Sequence, residues 1–407
     1  MTTGPLPFRR ANCKLGWRNG EAAMKTSRIS FSKTWVKPVA LLGALGAMVA
    51  FGHIANSAEG PRVPSFTYDG AWPKLPLPNN WTFEGITGLS VDKDDVIWVL
   101  NRPGDYDIDP IFHVPEKTEN YASLSPPTAL CCLKPEGILA FDMQGNLLHH
   151  WNQADKVDGH LIIADKSGNI WVGSDTMRKY TKDGKLLGAI ERTPDATQPK
   201  PGEFPADTPM FVGRVEGGEF DENARELFVT DGYLRGRVLV FDMDTMKFKR
   251  GWGAYGKPLA EIKYDPNAKY DPKGPPAKDF LGHIVLTVSR DGFVYAADRV
   301  SDRIQVYTKA GKFVREFTVA PETLDRGSTG GMALSPDQRF IYVSDIMNNV
   351  VWIVNRDDGR TLGHFGFFGH SGGGFHWIHM VATDSKGNVY TGEVDTGKRV
   401  QRFLAGK

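Results

Sequence analysis

The stretch GHIVLTVSRDGFVYAADRVSDRIQVYTKAGKFVREF, residues 282–317, decides the fold. Apolar residues alternate along it with period two, and Arg-Asp-Gly and Lys-Ala-Gly mark tight turns. It reads as four short antiparallel strands in a row. The third strand has the form Arg-apolar-x-Val-aromatic and follows an Asp. Five relatives of this unit can be laid along the chain. One is GITGLSVDKDDVIWVLNRP (85–103), completed after an insertion by GILAFDMQGNLLHHW (137–151). The others occupy 159–190, 211–252, 330–365 and 378–403. One such sheet cannot bury both of its faces, but a closed ring of six can. The expected fold is therefore all-β, a six-bladed β-propeller with four-stranded antiparallel blades around a central channel. A strand drawn from residues 65–82 is expected to complete the last blade. A pair of β-sandwiches is the alternative architecture, and the regular repeat argues against it. The insertions at about 103–136 and 254–279 are rich in Pro and Asp and should form loops on one rim.

The region before the repeats reads as an address. From Met24 a basic segment leads into PVALLGALGAMVAF (38–51) and then a small-residue zone ending near Ser57 or Ala58. That is the layout of a secretory signal peptide; a retained anchor is the other reading, disfavoured by a short, Gly- and Ala-rich apolar run. Residues 1–58 are expected to be leader, and 59–407 a single propeller domain exported to the periplasm or secreted. Stable membrane insertion is not expected once the leader is removed. The 407-residue chain has a formal net charge of +1, but the leader holds eight basic residues and one acidic one. Without it 41 basic residues face 47 acidic ones. A mildly acidic surface with no basic stripe excludes general nucleic-acid binding. The adjacent Cys131 and Cys132 exclude a CxxC zinc site and leave either a vicinal disulfide or two idle thiols.

Three histidines recur at one place in alternate repeats. His160, His283 and His379 each open a first strand, eight, nine and eight residues before the hairpin glycines Gly168, Gly292 and Gly387. The other repeats hold Thr87, the Val212–Gly213 region and Gly330 or Gly331 there. First strands line a propeller's channel, so alternate blades would aim three imidazoles at the axis. Any one of them taken alone fits a packed, structural histidine. Together they form a three-nitrogen set with an open position, which suits a catalytic Zn²⁺. His376, just upstream of His379, is the rival third ligand. His149, His150, His364 and His370 read as blade-end or loop residues.

This combination resembles the lyase domain of peptidylglycine α-amidating enzymes, over most of residues 83–405 and mainly in the strand motifs. The resemblance implies a zinc held by His160, His283 and His379. It places an active-site tyrosine at Tyr233, in VTDGYLRGRVLVF, and family arginines at Arg102, in VLNRPGD, and Arg299, in YAADRVSD. It also implies cleavage of a carbinolamide N–C bond to a primary amide and glyoxylate. Tyr233 would be the base, Arg102 would stabilise developing negative charge, and Arg299 would clamp the substrate carboxylate. Each of the three also has a plain structural reading, at a blade edge or paired to an Asp. The chain departs from the family at Trp377, where a Met is usual, and that residue would narrow the substrate pocket. It departs again at Met380, which leaves a structural Ca²⁺ without one of its ligands, and at Leu234, which removes a family disulfide. The substrate would be a small molecule or peptide, supplied by a separate oxygenase. Two other functions compete: a metal-dependent hydrolase or lactonase, and a non-catalytic propeller of the NHL type that binds a protein or glycan.

Overall fold

The computed structural model describes residues 62–406, except 103–134, 154–158, 192–204, 212, 233–235, 264 and 266. The leader, Tyr233, Leu234, Cys131 and Cys132 therefore lie outside the described residues. Strand β1 (Phe66–Asp69) precedes six runs of first-to-last strands. Blade one holds β2 (Gly85–Val91), β3 (Ile97–Arg102), β4 (Ile138–Phe141) and β5 (Leu147–Trp151). Blade two runs from β6 (Leu161–Ala164) to β9 (Leu186–Ile190). Blade three comprises β10 (Val215–Asp221), β11 (Glu226–Asp231), β12 (Arg237–Asp242) and β13 (Phe248–Trp252). Blade four comprises β14 (Ile284–Val288), β15 (Phe293–Asp298), β16 (Arg303–Thr308) and β17 (Phe313–Thr318). Blade five includes β18 (Met332–Leu334), β19 (Phe340–Asp345), β20 (Val350–Asn355) and β21 (Thr361–Phe365), and blade six β22 (Ile378–Thr383), β23 (Val389–Glu393) and β24 (Arg399–Ala405).

Each blade is a four-stranded antiparallel sheet. Blade six borrows β1 as its outermost strand, paired Phe66 with Ala405 through Asp69 with Arg402. The expected six-bladed propeller and its closing strand are both present. Among the described residues no helix is long and apolar enough to cross a membrane.

Stability comes from the seams. Among the described residues six apolar clusters form, each between neighbouring blades; Phe228, Val238 and Val240 of blade three meet Ile284, Leu286 and Tyr307 of blade four in one of them. Toward the axis the first strands converge too closely for side chains at some positions, and apolar residues such as Leu161, Leu286 and Met380 line the channel beside polar ones such as His160 and Glu216. A Cβ on Gly331 would stand 2.8 Å from both the His379 carbonyl and the Met380 Cα. That approach explains glycine at 331, and the same holds at Gly217, where a Cβ would stand 2.7 Å from the Val285 Cα of the next blade.

The Asp and Arg of the repeat tie rim loops to the blades. In blade four Arg303 donates to Asp298 and to the carbonyls of Ala277 and Asp279. In blade six Arg399 donates to Glu393 and to the carbonyls of Gly369 and Gly374. Arg237 does the same in blade three. The arginine that opens the third strand is thus a clamp on the loop above it.

One ion pair sets an acid limit. Arg250 grips the buried Glu226 with bonds of 2.7 and 2.6 Å, and Lys249 lies 2.6 Å away. The Arg250 hydrogen bonds, chiefly, pull the Glu226 carboxyl down to about 2. Its folded value lies below its unfolded value, so its stabilisation is complete above about pH 4.5 and is lost as pH falls toward 2. Melting temperatures between pH 4.5 and 2.5 should fall less steeply for Glu226→Gln than for the parent chain. Equal slopes would show that the pair contributes nothing.

Candidate active site

At one end of the channel the first strands begin and the second strands finish, since Gly85 pairs with Arg102 and Ile284 with Asp298. A cavity of about 760 Å³ opens there. Its wall includes Arg102, His160, His283, Arg299, Trp377 and His379. All six described residues singled out from the sequence therefore share one cavity. They come from blades one, two, four and six.

Local structure explains how each is aimed. His160 sits just before β6, its backbone N–H bonded to the Gly173 carbonyl at 2.8 Å. His283 sits just before β14 with φ of 54°, and its carbonyl accepts from the Arg299 N–H at 3.2 Å. His379 occupies a register shift between Ile378 and Met380. Its carbonyl is held by the Gly331 N–H at 3.1 Å and the Ser344 hydroxyl at 2.8 Å, both from blade five. Thr87, the counterpart in blade one, falls at the same kind of shift and donates to the Gly159 carbonyl at 2.6 Å. Hydroxyl bridges between blades thus fix the axial residues.

The rings of His160 and His379 stand 5.8 Å apart. Arg102 Nη1 is 3.4 Å from His160 Nε2. Burial, then repulsion from His379, Arg102, Arg214 and His283, holds the His160 imidazole well below its ordinary range. Burial and the charges of Arg299, Arg102 and His283 do the same to His379, with the Thr87 backbone opposing. Both rings are neutral at pH 7 and present lone pairs. His379 Nδ1 is buried and has no hydrogen-bond partner among the described residues. Among the described residues, no group of three or more His, Cys, Asp or Glu side chains is arranged to hold a metal ion. The three imidazoles reach one cavity without closing into a ligand set.

Sequence reasoning missed Glu216. Its Oε1 lies 3.0 Å from His283 Nδ1, while Oε2 accepts from the Ile284 N–H at 2.6 Å. A carboxylate there favours the tautomer with the proton on Nδ1 and leaves Nε2 for the cavity. The expectation that blade three contributes the Val212–Gly213 region is corrected: its axial residue is Glu216. The strand carries a register shift between Val215 and Gly218, which displaces the position. The adjacent pair Gly217–Gly218 was the available signal. Arg214 and Arg326 also line the cavity and were not singled out.

His376 and His370 line the mouth, with rings 4.4 Å apart. His376 Nδ1 is engaged by the Thr396 hydroxyl at 2.8 Å. His370 therefore belongs to the cavity rather than to an idle loop. His364 packs on Trp352 and His149 stacks on Trp98, as blade-end residues should.

The described part of the Asp-Gly-Tyr motif has structural duties. Asp231 is fully buried against Arg237. A Cβ on Gly232 would meet the Glu216 carboxylate, so a larger residue there would push that carboxylate from its place against Ile284.

No family model matches the chain. Among solved structures it is similar to a protein of unknown function from Bacteroides thetaiotaomicron, with TM-score 0.51, 13% identity, and coverage of 80% of this chain and 70% of that one. Virginiamycin B lyase from Staphylococcus aureus gives TM-score 0.44 at 11% identity, over 79% of this chain and 84% of that one. A streptogramin B lyase gives 0.46 at 11%, over 84% and 98%. At such identities the likeness is one of fold.

Proposed function

We propose that the protein is an exported lyase that cleaves a carbinolamide bearing a carboxylate, in the manner of the amidating lyases. The observation that carries this is the convergence of Arg102, His160, His283, Arg299 and His379, from four blades, on one cavity. Guanidiniums beside neutral imidazoles suit a reaction in which an anion is held while a proton moves.

In R–CO–NH–CH(OH)–COO⁻ the hydroxyl loses its proton and the carbon–oxygen double bond forms. The C–N bond breaks, and a proton goes to the departing amide nitrogen. Glyoxylate and a primary amide result. Arg299 takes the carboxylate in a two-pronged bond. Arg102 lies on the His160 side, where negative charge develops on oxygen. Tyr233, outside the described residues, is the base that the family resemblance implies in this reading.

The donor types suit zinc, although the three rings would have to draw together to form its ligand set. His379 Nδ1 has no hydrogen-bond partner among the described residues, and Glu216 backs His283 as carboxylates back metal-bound histidines. His160, His283 and His379 would hold it, and it would supply Lewis acidity at the floor of the cavity.

Two measurements on the purified protein test this. About one zinc per chain is expected, and it should be lost in the double variant His160→Ala/His283→Ala. Glyoxylate should appear from an N-acyl-α-hydroxyglycine and not with the double variant. If zinc never binds after reconstitution, the metal goes. If no glyoxylate forms, the reaction class goes with it.

A further inference from the structure

One wall of the cavity is aromatic. Phe368, His370, His376 and Trp377, all from the approach to blade six, line it together. His376 is the hub. Its ring meets Phe368 edge-on at 5.6 Å, Trp377 edge-on at 6.0 Å and His370 at 4.4 Å. The core does not use Phe368 or Trp377: the apolar seam behind the wall is filled by Phe375 and Ile378. Phe368 is 68% exposed, and Trp377 and His376 are half-buried.

Trp377 is held there against its own backbone preference. Its φ is 59°, a left-handed conformation that bulky residues rarely adopt. Both of its backbone groups are tied down. The N–H donates to Asn349 Oδ1 at 2.9 Å, and the carbonyl accepts from the Val394 N–H at 3.0 Å. The Arg326 guanidinium lies over the indole, 5.0 Å from the ring centre. His376 is fixed as firmly: its N–H bonds the fully buried Glu393 at 2.8 Å, and its Nδ1 meets the Thr396 hydroxyl at 2.8 Å. Backbone strain of this kind persists only where the surroundings over-determine it, and it gathers at ligand sites. Trp377 stands two residues before His379, so the wall adjoins the axial imidazoles.

We infer that this wall is a subsite for an aromatic group of the ligand, with Trp377 as the residue that sets the preference. Rings held at fixed angles interact with another ring by more than the area they cover, whereas an aliphatic group of the same size gains the area alone. A wall already locked in place also gives up little freedom when it is covered. The inference rests on the proposed function only for which part of the ligand lies here: the acyl group R next to the scissile bond.

Unreactive probes test it without turnover. Titration calorimetry of the full protein would compare N-benzoylglycine with N-cyclohexanecarbonylglycine. The two share one head group, so charge cancels, and their rings have the same number of carbons. The benzoyl probe should bind about threefold to tenfold more tightly. In Trp377→Leu the ratio should fall to about one, and in Trp377→Phe most of it should remain. Phe368→Leu, at an exposed position that cannot unfold the chain, should reduce the ratio about twofold. Asn349→Ala keeps the indole but frees its backbone, and should reduce the ratio as well. Equal affinity of the parent for the two probes would overturn the inference, as would binding of neither. So would a ratio that survives both Trp377→Leu and Phe368→Leu. An aromatic preference without glyoxylate release would keep this subsite and discard the lyase chemistry. Glyoxylate released equally well from the benzoyl and cyclohexanecarbonyl α-hydroxyglycines, with equal probe affinities, would do the reverse.

Discussion

Replacing Arg299 with alanine is expected to lower kcat/KM for an N-acyl-α-hydroxyglycine by about 10²–10³-fold, the cost of removing one partner from a buried charge pair. Arg299 is 6% exposed and borders both the cavity and the small space between His160, His283 and His379. Its backbone is fixed at both ends of a tight turn: the N–H bonds the His283 carbonyl, and the Asp302 N–H returns to the Arg299 carbonyl at 3.2 Å. A side chain so held loses little freedom when it grips a carboxylate. Arg299→Lys should recover part of the loss, since it restores charge without the planar fork. Unchanged kinetics for the alanine variant would mean that the carboxylate is held elsewhere.

The sequence carried the blades because a strand repeat is a local signal. Period-two alternation, turn glycines and the Arg-apolar-x-Val-aromatic strand each express backbone geometry over a few residues. The histidine alternation was legible for the same reason: identical places in a repeat become equivalent places around an axis. Glu216 was not, because a register shift moves it off the aligned position, and a carboxylate breaks the pattern of imidazoles. Arg326 and Phe368 were not, because they sit on loops between repeats, where spacing encodes nothing. The repeat's arginines could be misread as rim residues of no consequence. Arg303 and Arg399 prove to be clamps whose partners are backbone carbonyls, and carbonyls leave no trace in a sequence. Asp298 adjoins Arg299 in the chain, yet in the structure it serves Arg303.

The largest effect on stability should come from Arg237→Ala, about 3–5 kcal/mol of destabilisation. Arg237 and Asp231 are both fully buried. The guanidinium gives Asp231 Oδ2 bonds of 3.1 and 2.8 Å, and it caps the carbonyls of Ala206, Thr208 and Met210, each at 2.7 Å. Alanine would strand a buried carboxylate and take the donor from three part-buried carbonyls, which is far costlier than the pair itself is worth. Hence Asp231→Asn/Arg237→Met should be less damaging than Arg237→Ala, as the charge left behind is gone. Arg225→Ala supplies the contrast: its bonds to Asp244 and Glu222 are half-exposed, and its loss should cost under about 1 kcal/mol. Urea unfolding of the four proteins decides between these values. The same substitution should reach the cavity before it unfolds the chain. Asp231 Oδ1 also accepts from the Gly213 N–H at 2.7 Å, next to Arg214 and just ahead of Glu216. Freed from Arg237, the 206–210 segment and the start of β10 would lose their anchor, and the carboxylate behind His283 would lose its fixed position. Activity lost at urea concentrations where the blades are still folded would show that the clamp positions the site; loss of both at one midpoint would show that it serves the fold alone.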